Sequence, residues 1–178
     1  MPVTPPQPSR AVVLTISDSR TRGERPDLSG PAVVASLQSA GFLLEGPHLV
    51  ADEQPEIEAA LRKYAADAAL VVTTGGTGIA PRDVTPEATR AVCTRILDGF
   101  AERMRAAGVR RTPLAALSRA TSGTCGHALI VNLPGSPEGA VTSLEAVLDL
   151  IPHALVLLSG VDAHAEPVPV RNPGASRT

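Results

Sequence analysis

Apolar and polar positions alternate in blocks along most of the chain, and their periods predict strands interleaved with helices. Ala11-Val12-Val13-Leu14-Thr15-Ile16 is almost continuously apolar, as for a strand buried on both faces. Ser17-Asp18-Ser19-Arg20-Thr21-Arg22-Gly23 reads as a loop. Ser29 is the expected N-cap of a helix that runs to Ala40 and stops at Gly41. A second strand is expected near His48-Leu49-Val50, then Asp52 and a helix from Pro55 to about Ala65. Ala69-Leu70-Val71-Val72 predicts a third strand. Thr85 as N-cap, Pro86 at the first position and Glu87 near the positive dipole end predict a helix reaching about Leu97.

A shorter helix is expected from Phe100 to Ala107, and a helical turn from Pro113 to Leu117. Ser118 to Thr124 reads as an extended edge segment. Gly126 turns the chain into a strand, Ala128-Leu129-Ile130-Val131-Asn132. Val141, Leu144, Val147, Leu148 and Ile151 predict a long closing helix, with His153 to Leu158 a separate turn after Pro152. Residues 1–10 and 163–178 are rich in proline and small polar residues and read as flexible tails. One domain is expected between them, over 11–162.

Strands alternating with helices imply an α/β fold, three-layer α/β/α, with a mostly parallel central sheet. In such sheets ligands bind beyond the carboxyl ends of the strands. Ser17 and Asp18, Asp52, the run Gly75-Gly76-Thr77-Gly78 with Asp83, and Pro134-Gly135-Ser136 each follow a predicted strand. They are expected to face one crevice.

The net charge of −2 removes the basic footprint that general nucleic-acid binding needs, and Phe42, Phe100 and Tyr64 are too few aromatics for base stacking. No apolar run approaches the length of a membrane span and no secretory h-region is visible, so a cytoplasmic protein is expected. Cys93 and Cys125 lack metal-ligand spacing and read as small apolar fillers. His48, His127, His153 and His164 share no ligand spacing either.

The candidate chemistry centres on Thr74-Gly75-Gly76-Thr77-Gly78. Glycines at a strand end can bring backbone N–H groups round a phosphate; they also suit a tight turn. A Walker loop is excluded, because no Gly-Lys-Ser/Thr follows. Asp52 and Asp83 can hold Mg2+ on a polyphosphate, and each reads equally as a residue at a helix start. Ser118-Arg119 can offer a hydroxyl and a cation to an anionic ligand, or lie on an exposed edge. Ser136 can cap the last helix or help form an anion site there.

These residues occur within several longer motifs in one order. They are Thr15-Ile16-Ser17-Asp18, Asp27-Leu28-Ser29-Gly30, Asp52-Glu53-Gln54, Thr74 through Gly78, Pro81-Arg82-Asp83-Val84-Thr85-Pro86-Glu87-Ala88, Leu117-Ser118-Arg119-Ala120 and Leu129 through Pro137. Over roughly Val12 to Gly160 the sequence resembles the Mog/MoaB-like family of molybdenum-cofactor biosynthesis proteins, of the molybdopterin adenylyltransferase type. The resemblance implies a molybdopterin-binding-like fold and Mg2+-dependent transfer of AMP from ATP to the terminal phosphate of molybdopterin, releasing pyrophosphate.

It implies Asp52 and Asp83 as the catalytic and metal-holding acids. Ser17, Asp18, Gly75, Gly76, Thr77 and Gly78 lie on the nucleotide and phosphate side; Ser118, Gly135 and Ser136 line the pterin side. It further implies a homotrimer, or a hexamer as in some relatives, and a molybdate-insertion protein as the downstream partner. Cys125-Gly126-His127 departs from the family pattern at a stretch expected to bear on pterin or phosphate contacts. Two rivals are a non-catalytic molybdopterin-binding or scaffolding module, and a flavodoxin-like carrier using the Ser17–Thr21 loop. The shortage of aromatics to stack a flavin ring counts against the second.

Overall fold

The computed structural model describes residues 9–160. Its strands are β1 (Arg10–Ile16), β2 (Leu43–Val50), β3 (Leu70–Thr74), β4 (Arg95–Ile96), β5 (Ser122–Cys125) and β6 (Ala128–Leu133). The helices are α1 (Asp18–Thr21), α2 (Ser29–Ser39), α3 (Gln54–Ala65), α4 (Thr85–Val92), α5 (Asp98–Val109), α6 (Pro137–Glu145) and α7 (Ile151–Leu158), with a 3-10 turn over Pro113–Leu117. The strands form one sheet in the order β2-β1-β3-β6-β5-β4. β2, β1, β3 and β6 run parallel; β5 is antiparallel to both β6 and β4.

Alternate residues of the central strands divide the core into two layers, as the pleat requires. Val13, Val72 and Val131 face a layer built with Val33, Leu37, Met104, Leu144 and Ile151. Val12, Leu14, Val71 and Ile130 face a second layer with Ile57, Leu61, Ala88 and Val92. Helices α2, α5, α6 and α7 therefore cover one face, and α3 and α4 the other. A fully buried Leu or Ile contributes about 1.5–3 kcal/mol, whereas a helix cap contributes about 1 kcal/mol. The two apolar layers hold the fold; the caps only set where helices begin.

Several local expectations change. Residues 17–23 contain the short helix α1, because the Ser17 hydroxyl accepts from the Arg20 N–H at 3.4 Å and caps it. Ser29 lies inside α2; Asp27 performs the capping, its carboxylate accepting from the Gly30 N–H at 3.0 Å. Thr85 does not cap α4. Its hydroxyl donates to the Gly75 carbonyl at 3.0 Å, tying the helix start to the glycine run. α4 ends at Val92, and Arg95–Ile96 form the edge strand β4, so β5 is internal rather than an edge.

The long closing helix is two helices, separated at 146–150, with Pro152 in the first turn of α7. Proline lacks an N–H, so it starts a helix more readily than it continues one. Arg10 belongs to β1 rather than to a tail. The rest of the expected tails, residues 1–8 and 163–178, lies outside the described residues, as do 161–162 of the expected domain.

Candidate active site

The four parallel strands end in near register. Thr15 pairs with Leu49 and Thr74, and Thr74 with Leu133. Their following residues therefore share one edge of the sheet. Gly75 continues directly from β3 with a φ of 101°, and a Cβ there would meet the Ile16 carbonyl. Gly76 follows with a φ of 63°. The Gly75 N–H donates to the Leu133 carbonyl at 3.1 Å, and the Gly76 carbonyl accepts from the Thr85 N–H at 3.1 Å. The turn is pinned at its start. Its next three N–H groups, of Gly76, Thr77 and Gly78, donate no hydrogen bond among the described residues. Successive unpaired N–H groups of this kind form an anion-binding concavity.

The glycine run separates two flanks. On one flank stand the acids. The Asp18 N–H donates to Asp52 Oδ2 at 2.8 Å, and the Asp52 N–H donates to Asp18 Oδ1 at 2.9 Å. Arg82 donates to Asp18 Oδ2 at 2.6 and 3.1 Å and pairs with Glu53 at 2.8 Å. Asp83 Oδ2 accepts from the Ala80 N–H at 2.9 Å. A Cβ on Gly76 would lie 3.3 Å from Asp52 Oδ1, and one on Gly78 would lie 2.8 Å from Asp83 Oδ2. Both carboxylates therefore lie against the turn.

On the other flank is a cavity of about 750 Å³. Thr77 and Gly78 form its near wall, with Ser118, Gly135 and Ser136 beside them; α5, the 3-10 turn and α6 close it. Its lining is mainly apolar, with Met104, Leu114 and Leu117 among the contributors. Gly135 makes the flanks meet closely: a Cβ there would lie 3.3 Å from Gly75 Cα. The Ser136 hydroxyl caps α6 by accepting from the Gly139 N–H at 3.2 Å. The Ser118 hydroxyl accepts from the Ala120 N–H at 3.3 Å.

A family model described as "Probable molybdopterin binding domain" matches residues 12–153. The chain belongs to this family. It is 44% identical over 156 residues to the molybdopterin adenylyltransferase of Helicobacter pylori J99, spanning 83% of this chain and 86% of that protein. It is 38% identical over 187 aligned positions to the molybdopterin adenylyltransferase of Escherichia coli K12, spanning 94% and 95%. The crystal structure of the molybdopterin biosynthesis enzyme MoaB of Thermus thermophilus superposes with a TM-score of 0.80 at 50% identity. That match covers 85% of this chain and 97% of that one. The three-layer α/β fold and the family resemblance agree with these matches; the flavodoxin-like alternative does not.

Within this molybdopterin-binding domain, the residues expected at one crevice do share one sheet edge, but they divide between the two flanks. Ser17, Asp18, Asp52 and Asp83 lie on the acidic flank or its approach. Ser118, Gly135 and Ser136 line the cavity, with Thr77 and Gly78 on the shared wall. Cys125-Gly126-His127 stands apart from both flanks. It forms the turn between β5 and β6 at the start of β6, the far end of the strand from Leu133. His127 Nδ1 lies 2.7 Å from the Leu158 carbonyl, so this departure does not touch the site.

Burial pushes the Asp52 carboxyl above its ordinary value; the Asp18 N–H opposes the shift, and the charges of Asp18 and Asp83 reinforce it. Burial also acts upward on Asp18, but the Asp52 N–H and the Arg82 guanidinium outweigh it, and the net shift is downward. The pair therefore has one carboxylate already neutralised by an arginine and one short of positive charge. Asp52 Oδ1 and Asp83 Oδ1 accept no hydrogen bond among the described residues.

No group of three or more metal-ligating side chains gathers among the described residues. Mg2+ does not require one: it binds through one or two carboxylates and completes its shell with water and substrate phosphate. Two carboxylates with free oxygens beside a turn of unpaired N–H groups fit that ion. No described helix is long and apolar enough to cross a membrane.

Sequence reasoning missed what Arg82 and Arg119 do. Arg119 does not point a free cation at a ligand. Its Nε donates to the Gly78 carbonyl at 2.7 Å, its Nη2 to the Asp83 carbonyl at 2.5 Å, and its other contacts are with the Glu87 carboxylate. The signal was in the sequence only as an arginine within a motif; its partners lie 32 to 41 residues away.

Proposed function

We propose that the chain is a Mg2+-dependent nucleotidyltransferase that moves AMP from ATP to the terminal phosphate of molybdopterin. The observation that carries this reading is the pair Asp52 and Asp83, held against an unpaired N–H turn whose other side opens into a mainly apolar cavity. A polyphosphate suits the first side, and a flat heterocycle the second. The adenylyltransferase names of the relatives support the same reaction.

A terminal phosphate oxygen of molybdopterin, already ionised at neutral pH, attacks the α-phosphorus of ATP. The new bond is a phosphoanhydride. The bond from the α-phosphorus to the oxygen bridging to the β-phosphorus breaks, and pyrophosphate leaves with that electron pair. No proton need be removed, so catalysis rests on alignment and charge. The N–H groups of Gly76, Thr77 and Gly78 hold phosphate oxygens. Ser17 and Asp18 border the nucleotide side, and Ser118, Gly135 and Ser136 orient the pterin. When bound to Asp83 and Asp52, Mg2+ supplies positive charge to the triphosphate.

A binding module without turnover is not favoured: both acids are present and each keeps an oxygen free. The same reading includes self-association as a homotrimer or a hexamer, which rests on the family resemblance. The reaction belongs in the cytoplasm, where ATP is available, and its product passes to a molybdate-insertion protein. Residues 11–162 act as one catalytic unit.

The test is incubation of the protein with molybdopterin, ATP and Mg2+ without oxygen, reading adenylylated molybdopterin by mass, with Asp83→Asn alongside. Product from the parent but not the variant is expected. Bound pterin with no product would establish the binding module instead. Light scattering in the same buffer gives the number of subunits.

A further inference from the structure

We infer that Arg119 is a positioning residue that fixes the Asp83 carboxylate against the glycine turn. The inference rests on the nucleotidyltransferase reading above and deepens it. Asp83 stands on a loop whose tip is exposed; Ile79, at 68% exposure, packs against little. Such a segment has few contacts to hold a metal-binding group in place. Arg119 supplies them from outside the loop. Its backbone N–H donates to the Thr77 carbonyl at 2.8 Å, and its side chain bridges the carbonyls of Gly78 and Asp83. The two ends of the loop are thus closed by one rigid planar group.

Inside that closed loop the Asp83 carboxylate reaches back to the Ala80 N–H, while the Asp83 N–H donates to the Ala80 carbonyl at 2.9 Å. Gly78 leaves the space that Asp83 Oδ2 occupies. Four of the guanidinium's five N–H donors meet acceptors: the Gly78 and Asp83 carbonyls and both Glu87 carboxylate oxygens. It is therefore committed to protein groups rather than aimed at substrate. Glu87 offsets its charge, so it can bind carbonyls beside the acids without itself neutralising Asp83. Arg119 also follows Ser118 directly, so the wall of the cavity and the loop bearing Asp83 are set by the same short stretch.

Lysine at this position keeps the charge but cannot bridge two carbonyls and a carboxylate at once. The experiment compares Arg119→Lys, Arg119→Met and Glu87→Gln with the parent. It reads the melting temperature, the Mn2+ affinity of the protein with a non-hydrolysable ATP analogue, amide exchange at Ala80 without metal, and kcat and KM for molybdopterin. Expected for Arg119→Lys is a loss of about 10–100-fold in both Mn2+ affinity and kcat. KM for molybdopterin holds within about twofold, and Ala80 exchange is about tenfold faster or more. Glu87→Gln follows the same pattern more weakly and serves if both arginine variants fail to fold.

A lowered melting temperature with unchanged Mn2+ affinity and kcat would reduce Arg119 to a structural brace and overturn the inference. A raised KM for molybdopterin with unchanged Ala80 exchange would mean that Arg119 binds substrate directly, and would overturn it too. If the parent makes no product, the proposed reaction fails, but Mn2+ affinity and Ala80 exchange still decide the role of Arg119.

Discussion

Asp18 and Asp52 bind each other's backbone: each N–H donates to the other's carboxylate, at 2.8 and 2.9 Å. The exchange joins the ends of β1 and β2 and leaves one Asp52 oxygen facing the glycine turn. The two acids are not equivalent. Arg82 neutralises Asp18 and so leaves Asp52 as the carboxylate in need of a cation.

Asp52→Asn should lose about 10²–10³-fold in kcat, while its melting temperature at neutral pH stays level or rises. The amide oxygen can still accept from the Asp18 N–H. The folded state raises the Asp52 pKa, so ionisation of Asp52 costs the folded protein stability. That cost is absent below the ordinary value of 3.8 and fully present above the raised one. The gap in stability between the variant and the parent should therefore close as pH falls through this range. Urea unfolding at a series of pH values checks it, and an equal gap at every pH would be the wrong result.

Arg82→Ala should move the Asp18 titration upward. In the parent, burial acts to raise this pKa, yet the Asp52 N–H and Arg82 hold it below 3.8. A depressed carboxyl contributes stability above its ordinary value, lost as pH falls through the folded value. Without Arg82 that loss should begin at higher pH. A carboxyl-carbon NMR titration of Asp18 reads the shift directly.

Two glycines in one turn should fail in different ways. Gly75→Ala places a Cβ against the Ile16 carbonyl at positive φ, and should cost about 1–3 kcal/mol of stability in denaturant unfolding. Gly78 has no positive φ to lose, and its added Cβ would meet only the Asp83 carboxylate, at 2.8 Å. Gly78→Ala should keep the melting temperature and lose activity, with a higher Mg2+ requirement.

Cys93 should stay unmodified by iodoacetamide at pH 8 in the folded protein. Burial, with Cys125 nearby, pushes its thiol up to about 12, which leaves about one thiolate in 10⁴ at that pH. Intact-mass spectra before and after unfolding give the count.

The central strands were legible because burial on both faces leaves a continuous apolar run, as in Val12-Val13-Leu14 and Leu129-Ile130-Val131. β4 was not: Arg95–Ile96 is two residues long, and Ile96 continues the helical spacing of α4. Thr85 and Ser29 looked like caps because residue type does not show where a hydroxyl is spent: Thr85 donates to the distant Gly75 carbonyl, and Ser29 to the Asp27 carboxylate. The break before α7 was misplaced by a few residues, since Pro152 marks where a helix begins rather than where the previous one stops.

At the site, the residue types and their strand-end positions could be read directly. Which residues share a flank could not, because that depends on pairings such as Arg82 with Asp18, 64 positions apart. Arg119 shows the same limit more sharply. Its motif suggested a ligand contact, and only the fold reveals that its partners are two carbonyls and the Glu87 carboxylate.

The near contact of Gly75 with Gly135 makes the divide between the acidic flank and the cavity about one backbone thick. A single compound could bridge it. An anionic group for the turn, joined by a short tether to a flat ring for the cavity, would turn two modest affinities into one intramolecular event. Such linkage exceeds either half alone by about 10²–10⁴-fold when the tether matches the span. A bulkier residue at position 135, which lines the cavity and abuts Gly75, would weaken both the tethered compound and its ring half.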